Sequence, residues 1–293
     1  MAFKAELKTH LEALAAAPFL FVGAGLSRRY LGLDGWEDLL RRYAEVAGQP
    51  YEYYATSADG DFPRIASAIA ADIHEPWWKD SAFAESRELY KGMIRGPQSA
   101  LKAEVSKGLR DCLADLPKSG ALAQEIELLR QATIDGVITT NYDPLAKHIF
   151  PEYEVFVGQD EMLFANPQGV GEIYMVHGSS TDPDSLVLTA EDYERFNERN
   201  AYLAAKLLTV FVEHPVVFLG YSLADRNVFE IIRSIASVLT KDRIGEMLDR
   251  LLPTWPQMLH EAPLIRCSGG PLPANPIDGA REHTEASAVG EVP

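Results

Sequence analysis

Two glycines end a short apolar run near the start of the chain, in a pattern that could hold a nucleotide. The segment Pro18-Phe-Leu-Phe-Val-Gly-Ala-Gly-Leu-Ser27 reads as a buried strand that turns into a helix. Gly23 and Gly25 would permit a tight turn and the close approach of a pyrophosphate, which the free N–H groups of the following helix would favour. Arg28 stands where the usual dinucleotide fingerprint has its third glycine, so a turn without a ligand is the alternative.

Three later segments also place polar residues directly after short apolar runs. They are Thr139-Thr-Asn-Tyr-Asp143, His177-Gly178 and Gly220-Tyr-Ser222. Because the carboxyl ends of parallel strands open onto one crevice, we expect these segments to converge with the first glycine turn.

The order and spacing of the four motifs resemble the sirtuin superfamily, and more closely its bacterial branch of Sir2-like proteins that hydrolyse NAD in defence against phage. The resemblance covers residues from about 18 to 240. It implies an α/β fold, with a doubly wound, mostly parallel Rossmann-like sheet and a helical insertion after the first βα unit. It implies NAD as the substrate.

The resemblance also implies roles for individual residues. The catalytic pair would be Asn141 and His177. The cofactor-binding residues would be Gly23, Ala24, Gly25, Ser27, Thr140, Asp143, Gly220 and Ser222.

Two departures from the deacylating sirtuins separate the possible functions. Those enzymes continue the first loop with Pro-Asp-Phe-Arg and carry a four-cysteine zinc module. This chain has Gly35-Trp-Glu-Asp38 there, and its two cysteines are Cys112 and Cys267. We therefore expect an NAD glycohydrolase without a metal. The alternatives are an NAD-dependent protein deacylase and a non-catalytic nucleotide-binding sensor or assembly module.

The residue types suit the cleavage of nicotinamide from ribose. Nicotinamide leaves as a neutral molecule from a cationic glycoside, so positive charge builds on the sugar in the transition state. The neutral amide of Asn141 could orient a water, and His177, which ordinarily titrates near neutral pH, could take a proton. Asp143 could stabilise the developing charge, hold a ribose hydroxyl or cap the helix that begins near Pro144.

Each of these residues also has a purely structural interpretation. Asn141 could stabilise a turn, and His177 could be satisfied by a backbone carbonyl, but their joint spacing favours chemistry. We expect both to lie at exposed strand ends. Ser222 could cap the next helix while it contacts a ribose, and Thr189 with Asp192 and Tyr193 is expected to brace a helix.

The elements that must position these residues alternate in type. Strand-like runs occupy 18–22, 134–140, 173–176 and 216–219, and helical patterns occupy 36–47, 190–213 and 225–251. An amphipathic helix built on Phe3, Leu7, Leu11 and Leu14 precedes the first strand. We expect one Sir2-like domain over 1–262, with a helical insertion at about 50–120, and a disordered tail over 263–293.

Aromatic residues are concentrated in the insertion, which suggests a role in assembly. Adjacent side chains on a helix point in different directions, so we expect either Trp77 or Trp78 to be exposed. Burial within the insertion's own core is the alternative. The partner would be a second copy of this chain, giving a homo-oligomer, or another defence-system protein.

Charge and cysteine content exclude other classes of function. The 27 Lys and Arg residues against 43 Asp and Glu residues give a net charge of -16, which opposes binding to nucleic acid or an anionic membrane. Two isolated cysteines fit a reducing compartment, and no apolar run reaches the length of a membrane span. We expect a cytoplasmic protein.

Overall fold

The structure, a computed structural model, describes residues 16–158, 171–199 and 201–221, together with Lys8, Thr9, Glu12 and Glu161. Lys8, Thr9 and Glu12 are helical, as the N-terminal pattern predicts. The predicted helix at 225–251, the predicted tail at 263–293 and Ser222 lie outside the described residues.

A five-stranded parallel sheet forms the centre of the described chain. Its strands are β1 (Phe19–Val22), β2 (Gly136–Thr139), β3 (Glu154–Val157), β4 (Glu172–Met175) and β5 (Val216–Leu219). They lie side by side in the order β3-β4-β2-β1-β5, with every neighbouring pair parallel. The predicted Rossmann-like α/β class is confirmed, and so are the four predicted strands.

The edge strand β3 was missed from the sequence for a physical reason. An outer strand is covered less than a central one, and in β3 Phe156 is buried while the other three residues keep some exposure. Its apolar run, Val155-Phe-Val157, has three residues and is shorter than the four-residue runs at 173–176 and 216–219, which were predicted as strands.

Helices of the described chain connect and cover the strands. They are α1 (Ala24–Leu31), α2 (Trp36–Ala47), α3 (Tyr51–Ser57), α4 (Phe62–Lys79), α5 (Ala84–Leu89), α6 (Ser99–Arg110), α7 (Gly120–Arg130), α8 (Leu145–Ile149), α9 (Ala190–Arg199) and α10 (Ala201–Glu213). Short 3-10 turns lie at Ser81–Phe83, Cys112–Asp115 and Pro183–Ser185. Within the described residues, no helix is long and apolar enough to cross a membrane.

Alternation along the strands divides the core between the two faces of the sheet. Phe19 and Phe21 pack into one cluster, which also receives apolar residues of α9 and α10. Leu20 and Val22 point to the opposite face, where α1, α7 and α8 supply the covering residues. The sheet is therefore buried on both sides, and its carboxyl edge is left to carry the polar motifs.

A second core joins residues of the predicted insertion, at about 50–120, with residues of α2 and with Leu186 and Leu188. Between Ala24 and Asp135, a stretch that the structure describes throughout, the chain forms helices and turns. Trp77 is fully buried in this core and donates from Nε1 to Glu104 at 2.8 Å. Trp78 is 51% exposed, which confirms that one of the adjacent tryptophans faces outward.

Candidate functional site

The glycine turn after β1 packs directly on the turn after β5. Gly23 N–H donates to the Leu219 carbonyl at 2.9 Å, and Gly25 N–H donates to the Gly220 carbonyl at 2.7 Å. Gly220 adopts a left-handed conformation with φ +66°. A Cβ on Gly25 would lie 2.7 Å from the Gly220 oxygen, so side chains are excluded here. Gly25 thus serves close backbone packing, and its N–H is bonded to protein.

The Asn141 amide is held in a single orientation beside this turn. Its Nδ2 donates to the Gly23 carbonyl at 3.0 Å and to Ser27 Oγ at 2.9 Å. A carbonyl can only accept, so the nitrogen must face Gly23 and the orientation of the amide follows. Within the described residues, no side chain or backbone group donates to Asn141 Oδ1. This oxygen is the part of the amide left to meet a ligand or a water.

Ser27 and Asp143 form the support of that amide. Ser27 is buried, and its hydroxyl accepts from Asn141 and donates to Asp143 Oδ2 at 2.7 Å. The other carboxylate oxygen of Asp143 accepts from the N–H of Leu145, the first residue of α8, at 3.0 Å. Both oxygens of Asp143 are therefore bonded internally, and one accepts from the first N–H of α8, whose N-cap residue is Pro144. Ribose contact by Ser27 or Asp143 stays a prediction.

Burial and hydrogen bonding act in opposite directions on the pKa of Asp143. Desolvation raises the pKa of this carboxyl above its ordinary value, while the hydrogen bonds from Ser27 and Leu145 act in the opposite direction. A buried carboxylate that keeps two good donors is a rigid anchor. Here it fixes Ser27, and through Ser27 it fixes Asn141.

Two residues that the sequence analysis passed over complete this part of the site. The Thr139 hydroxyl donates to the Val22 carbonyl at 2.8 Å and accepts from Asn141 N–H at 3.0 Å. Tyr221 brings its hydroxyl to 2.7 Å from Thr140 Oγ1. Thr139 belongs to the Thr139-Thr-Asn-Tyr-Asp143 motif, so the motif itself indicates this hydroxyl. No local sequence pattern indicates the Tyr221 contact, because it depends on which strands are neighbours in the sheet.

His177 follows β4 and is enclosed by aromatic rings. It is 3% exposed, so the expectation of an exposed position was wrong. Tyr193 and Phe196 of α9 lie nearly perpendicular to the imidazole, with ring centroids 5.7 Å and 5.0 Å away. No local sequence pattern indicates this cover, because it comes from a helix that folds back over the strand end.

The enclosure changes the protonation of His177. Burial lowers its pKa to about 4, so the imidazole is neutral at physiological pH and does not titrate near pH 7. Its Nε2 is buried and has no hydrogen-bond partner in the described part of the chain. A buried polar atom without a partner is costly, and it is a common feature of sites whose ligand is absent.

Strand register brings His177 and Asn141 to the same edge. β2 and β4 are neighbours, with Thr139 paired to Met175, so Asn141 and His177 each lie two residues beyond a matched pair. Within the described residues, no hydrogen bond joins them, and His177 is not part of the Asn141–Ser27–Asp143 network. The structure thus places the two predicted catalytic residues at adjacent strand ends, with separate supports.

The remaining predicted positions follow the same edge. Ala24 begins α1 directly after Gly23, Thr140 follows β2, and Gly220 follows β5. Ser222 lies outside the described residues. Among the described residues, no group of three or more His, Cys, Asp or Glu side chains is arranged to hold a metal ion.

Comparison with known proteins supports this interpretation of the motifs. The SIR2-like domain matches residues 135–244, a range that includes β2 through β5. This match confirms the resemblance drawn from the motifs.

Curated relatives carry the name NAD(+) hydrolase ThsA. The protein of Cytobacillus dafuensis is 26% identical over 125 residues, covering 41% of this chain and 25% of the relative. The protein of Enterococcus faecium is 26% identical over 187 residues, covering 62% and 38%. The protein of Bacillus cereus strain MSX-D12 is 22% identical over 229 residues, covering 76% and 41%. The chain spans between a quarter and about two fifths of these relatives.

Proposed function

We propose that this chain, which contains a SIR2-like domain, is an NAD glycohydrolase. In the proposed reaction, water attacks the anomeric carbon of the nicotinamide-bearing ribose, and the bond to the nicotinamide nitrogen breaks. The bonding electrons leave with nicotinamide, which becomes neutral. The products are nicotinamide and ADP-ribose, with one proton released from the water.

One observation carries the proposal: two polar atoms without partners in the described residues lie at neighbouring strand ends. They are Asn141 Oδ1 and His177 Nε2. Every other polar side chain of the Asn141–Ser27–Asp143 network is committed to a partner inside the protein. The two atoms therefore remain to engage a substrate or a water.

The chemistry of the reaction assigns a role to each atom. Asn141 Oδ1 would accept a hydrogen bond from the attacking water and orient its lone pair toward the anomeric carbon. A neutral amide suits this step because a rigid acceptor needs no charge of its own. His177 Nε2, in the tautomer that carries its proton on Nδ1, would accept from the same water or from a ribose hydroxyl.

Because His177 is buried away from water, its Nε2 is better suited to accept a hydrogen bond than to hold a proton. A pKa of about 4 means that the imidazole does not hold a proton at neutral pH, so Nε2 stays available as an acceptor. The proton released from water would pass on to solvent. Exclusion of water by Tyr193 and Phe196 also strengthens electrostatic interactions with the cationic sugar.

The alternatives find less support in the residues. A deacylase of the sirtuin type would need the four-cysteine zinc module, and the sequence has two cysteines. A non-catalytic module would bind NAD through the glycine turn without releasing nicotinamide. The relatives named NAD(+) hydrolase also favour hydrolysis.

The test is incubation of the purified chain with NAD, with nicotinamide and ADP-ribose measured by chromatography. We expect both products in equal amounts, with no dependence on an acyl-lysine peptide. Release that requires the peptide would support the deacylase. NAD binding by calorimetry without product, alone and with candidate partners, would contradict the proposed hydrolysis and favour the binding module.

Two substitutions test the assigned roles. Asn141→Ala and His177→Gln should each lower the rate of nicotinamide release by about 10² to 10⁴ while the chain stays folded by circular dichroism. Gln131→Ala, which removes an exposed amide at the end of α7, is the matched control and should keep the wild-type rate. Wild-type turnover by His177→Gln would remove His177 from the mechanism.

The same proposal extends to a biological role as a regulated effector of anti-phage defence, in the cytoplasm. Uncontrolled loss of NAD would harm the host, so activity would depend on a trigger or a partner. Plaque formation on cells that express the wild type or Asn141→Ala tests this role. Equal plaque numbers on both would contradict it.

A further inference from the structure

A buried ion pair joins the insertion to the helix that covers His177. Lys102 of α6 places Nζ 2.6 Å from Asp192 Oδ1 in α9, and both side chains are 5% exposed. The other oxygen of Asp192 accepts from Thr189 N–H at 2.9 Å and from the Thr189 hydroxyl at 2.7 Å. The carboxylate therefore caps the first turn of α9 while it holds the lysine.

Two neutral side chains of the predicted insertion also bind the same turn. Ser67 of α4 accepts from Ala190 N–H at 3.0 Å and donates to Glu191 at 2.9 Å. The side-chain amide of Gln98 lies 3.0 Å from the Thr189 hydroxyl. The first turn of α9 is thus held by α4, by α6 and by the residue that precedes α6.

The next residues of α9 are those that enclose the imidazole. Tyr193 follows Asp192 directly, and Phe196 lies one turn further on. Their rings pack nearly perpendicular to that of His177, and burial is the cause of its lowered pKa, with no contribution from a neighbouring charge. A rigid helix therefore connects the buried lysine with the enclosure of the histidine.

We propose that Lys102 is a positioning residue, which holds α9 over His177 and so couples the helical insertion to the candidate catalytic histidine. The enclosure of the imidazole stands on contacts in this structure alone, and its importance for turnover rests on the proposed function. Any partner that displaces α6 would, by this route, open the site to water.

Lys102→Met is the informative change because it keeps the length and apolar stem of the side chain while it removes the ammonium group. Asp192 would still accept from Thr189 and from Leu188 N–H, and Arg195 would still pair with it at 2.9 Å. The carboxylate therefore keeps partners, whereas removal of Asp192 would leave a buried ammonium group uncompensated. Lys107→Met is the matched control, since Lys107 lies on the same helix and pairs with Glu85 instead.

The experiment is an NMR titration of the His177 imidazole in the full chain, labelled at histidine and assigned with His177→Gln. We expect the pKa of His177 to rise in Lys102→Met by about one pH unit or more toward its ordinary value of about 6.5, because water reaches the ring. In Lys107→Met it should keep the wild-type value.

A neutral double variant separates positioning from charge. Loss of a positive charge would by itself raise the pKa of a nearby histidine, whereas Ser67→Ala with Gln98→Ala removes two uncharged side chains and leaves the net charge unchanged. We expect a smaller rise in the same direction. An unchanged His177 pKa in Lys102→Met would overturn the proposal. A rise in Lys102→Met with an unchanged pKa in this double variant would assign the rise to charge and would also overturn it. If Lys102→Met does not fold, an unchanged pKa in the double variant overturns the proposal alone.

The titration needs no turnover, so its result is independent of the proposed function. Nicotinamide release by the wild type, with the same His177 pKa in all variants, would support the proposed hydrolysis and contradict the role of Lys102. A raised His177 pKa in the variants, without nicotinamide release by the wild type, would support the role of Lys102 and contradict the proposed hydrolysis.

Discussion

The Asn141 side chain illustrates how one residue is prepared by others that do not meet the substrate. Its two amide hydrogens go to Gly23 and Ser27, and Ser27 passes its own hydrogen to Asp143. Each of these hydrogens makes one hydrogen bond, and each bond fixes the orientation of the next side chain. Removal of Ser27 or Asp143 would therefore act on Asn141 through orientation, at a cost of about 1–3 kcal/mol for the polar group left unpaired.

The buried histidine predicts a specific dependence of stability on pH. The pKa of His177 is about 4 in the folded chain and ordinarily about 6.5 in an unfolded one, so the unfolded state takes up the proton first as the pH falls. The free energy of unfolding should therefore fall between pH 6.5 and pH 4, by about 3 kcal/mol from this group. Above pH 6.5 the group has no effect on this slope.

Urea unfolding of the wild type and of His177→Gln at pH 7 and pH 4 measures this contribution. The difference between the two pH values should be smaller in the variant by about 3 kcal/mol. Asp143 has a raised pKa and acts in the opposite direction, since it favours the folded state as it gains a proton. It is present in both proteins and cancels in the comparison. An equal pH dependence in both would contradict the burial of a neutral His177.

At the scale of elements, the turns that follow the first and last strands of the described sheet meet through the backbone of Gly25 and Gly220. The turns after β1 and β5 pack so closely that Gly25 and Gly220 lie against each other without side chains. We expect Gly25→Ala to lower the free energy of unfolding by about 1–3 kcal/mol, because the obstacle is a carbonyl that cannot move aside. We also expect weaker NAD binding, since the turn must shift.

Gly96→Ala is the control for this change. Gly96 has no positive φ, and its nearest neighbour is the Ser99 hydroxyl at 3.9 Å from the added carbon. Chemical unfolding and calorimetric NAD titration of both variants give the comparison. If Gly25→Ala matches Gly96→Ala in stability and in NAD affinity, the close packing of the two turns does not matter for the site.

Sequence reasoning found the elements that carry strong local patterns and missed those defined by distant contacts. The four predicted strands, β1, β2, β4 and β5, and the helix at 36–47 have continuous or periodic apolar residues, and the motifs that follow the strands lie at the predicted edge. The apolar run of the edge strand β3 is shorter. The enclosure of His177 could not be predicted, because it depends on how α9 packs after the chain has left the strand.

At the scale of the whole molecule, the insertion is a second hydrophobic unit that rests on the candidate site. Its core contains Leu186 and Leu188, which belong to the segment between β4 and α9. The apolar contacts and the polar tethers thus reach the same segment. This arrangement provides a physical route by which the insertion, although distant from β4 in sequence, can influence His177.

The outward face of this insertion predicts assembly. Trp78 is 51% exposed at the end of α4 and is held edge-on against buried Trp77, with ring centroids 4.9 Å apart. An aromatic ring with a fixed conformation gives large contact area at low entropic cost, and such residues dominate many interfaces. We expect the chain to self-associate at micromolar concentration through this face, in addition to any defence partner.

Trp78→Ser should weaken self-association by about 30-fold or more, as for an aromatic residue at the centre of an interface worth about 2 kcal/mol. Leu128→Ser is the matched control, because Leu128 is 68% exposed on α7, outside the insertion. Light scattering across a concentration series measures both. A wild type that stays monomeric throughout, or a Leu128→Ser variant that dissociates as readily as Trp78→Ser, would show that Trp78 does not form an interface between copies of this chain.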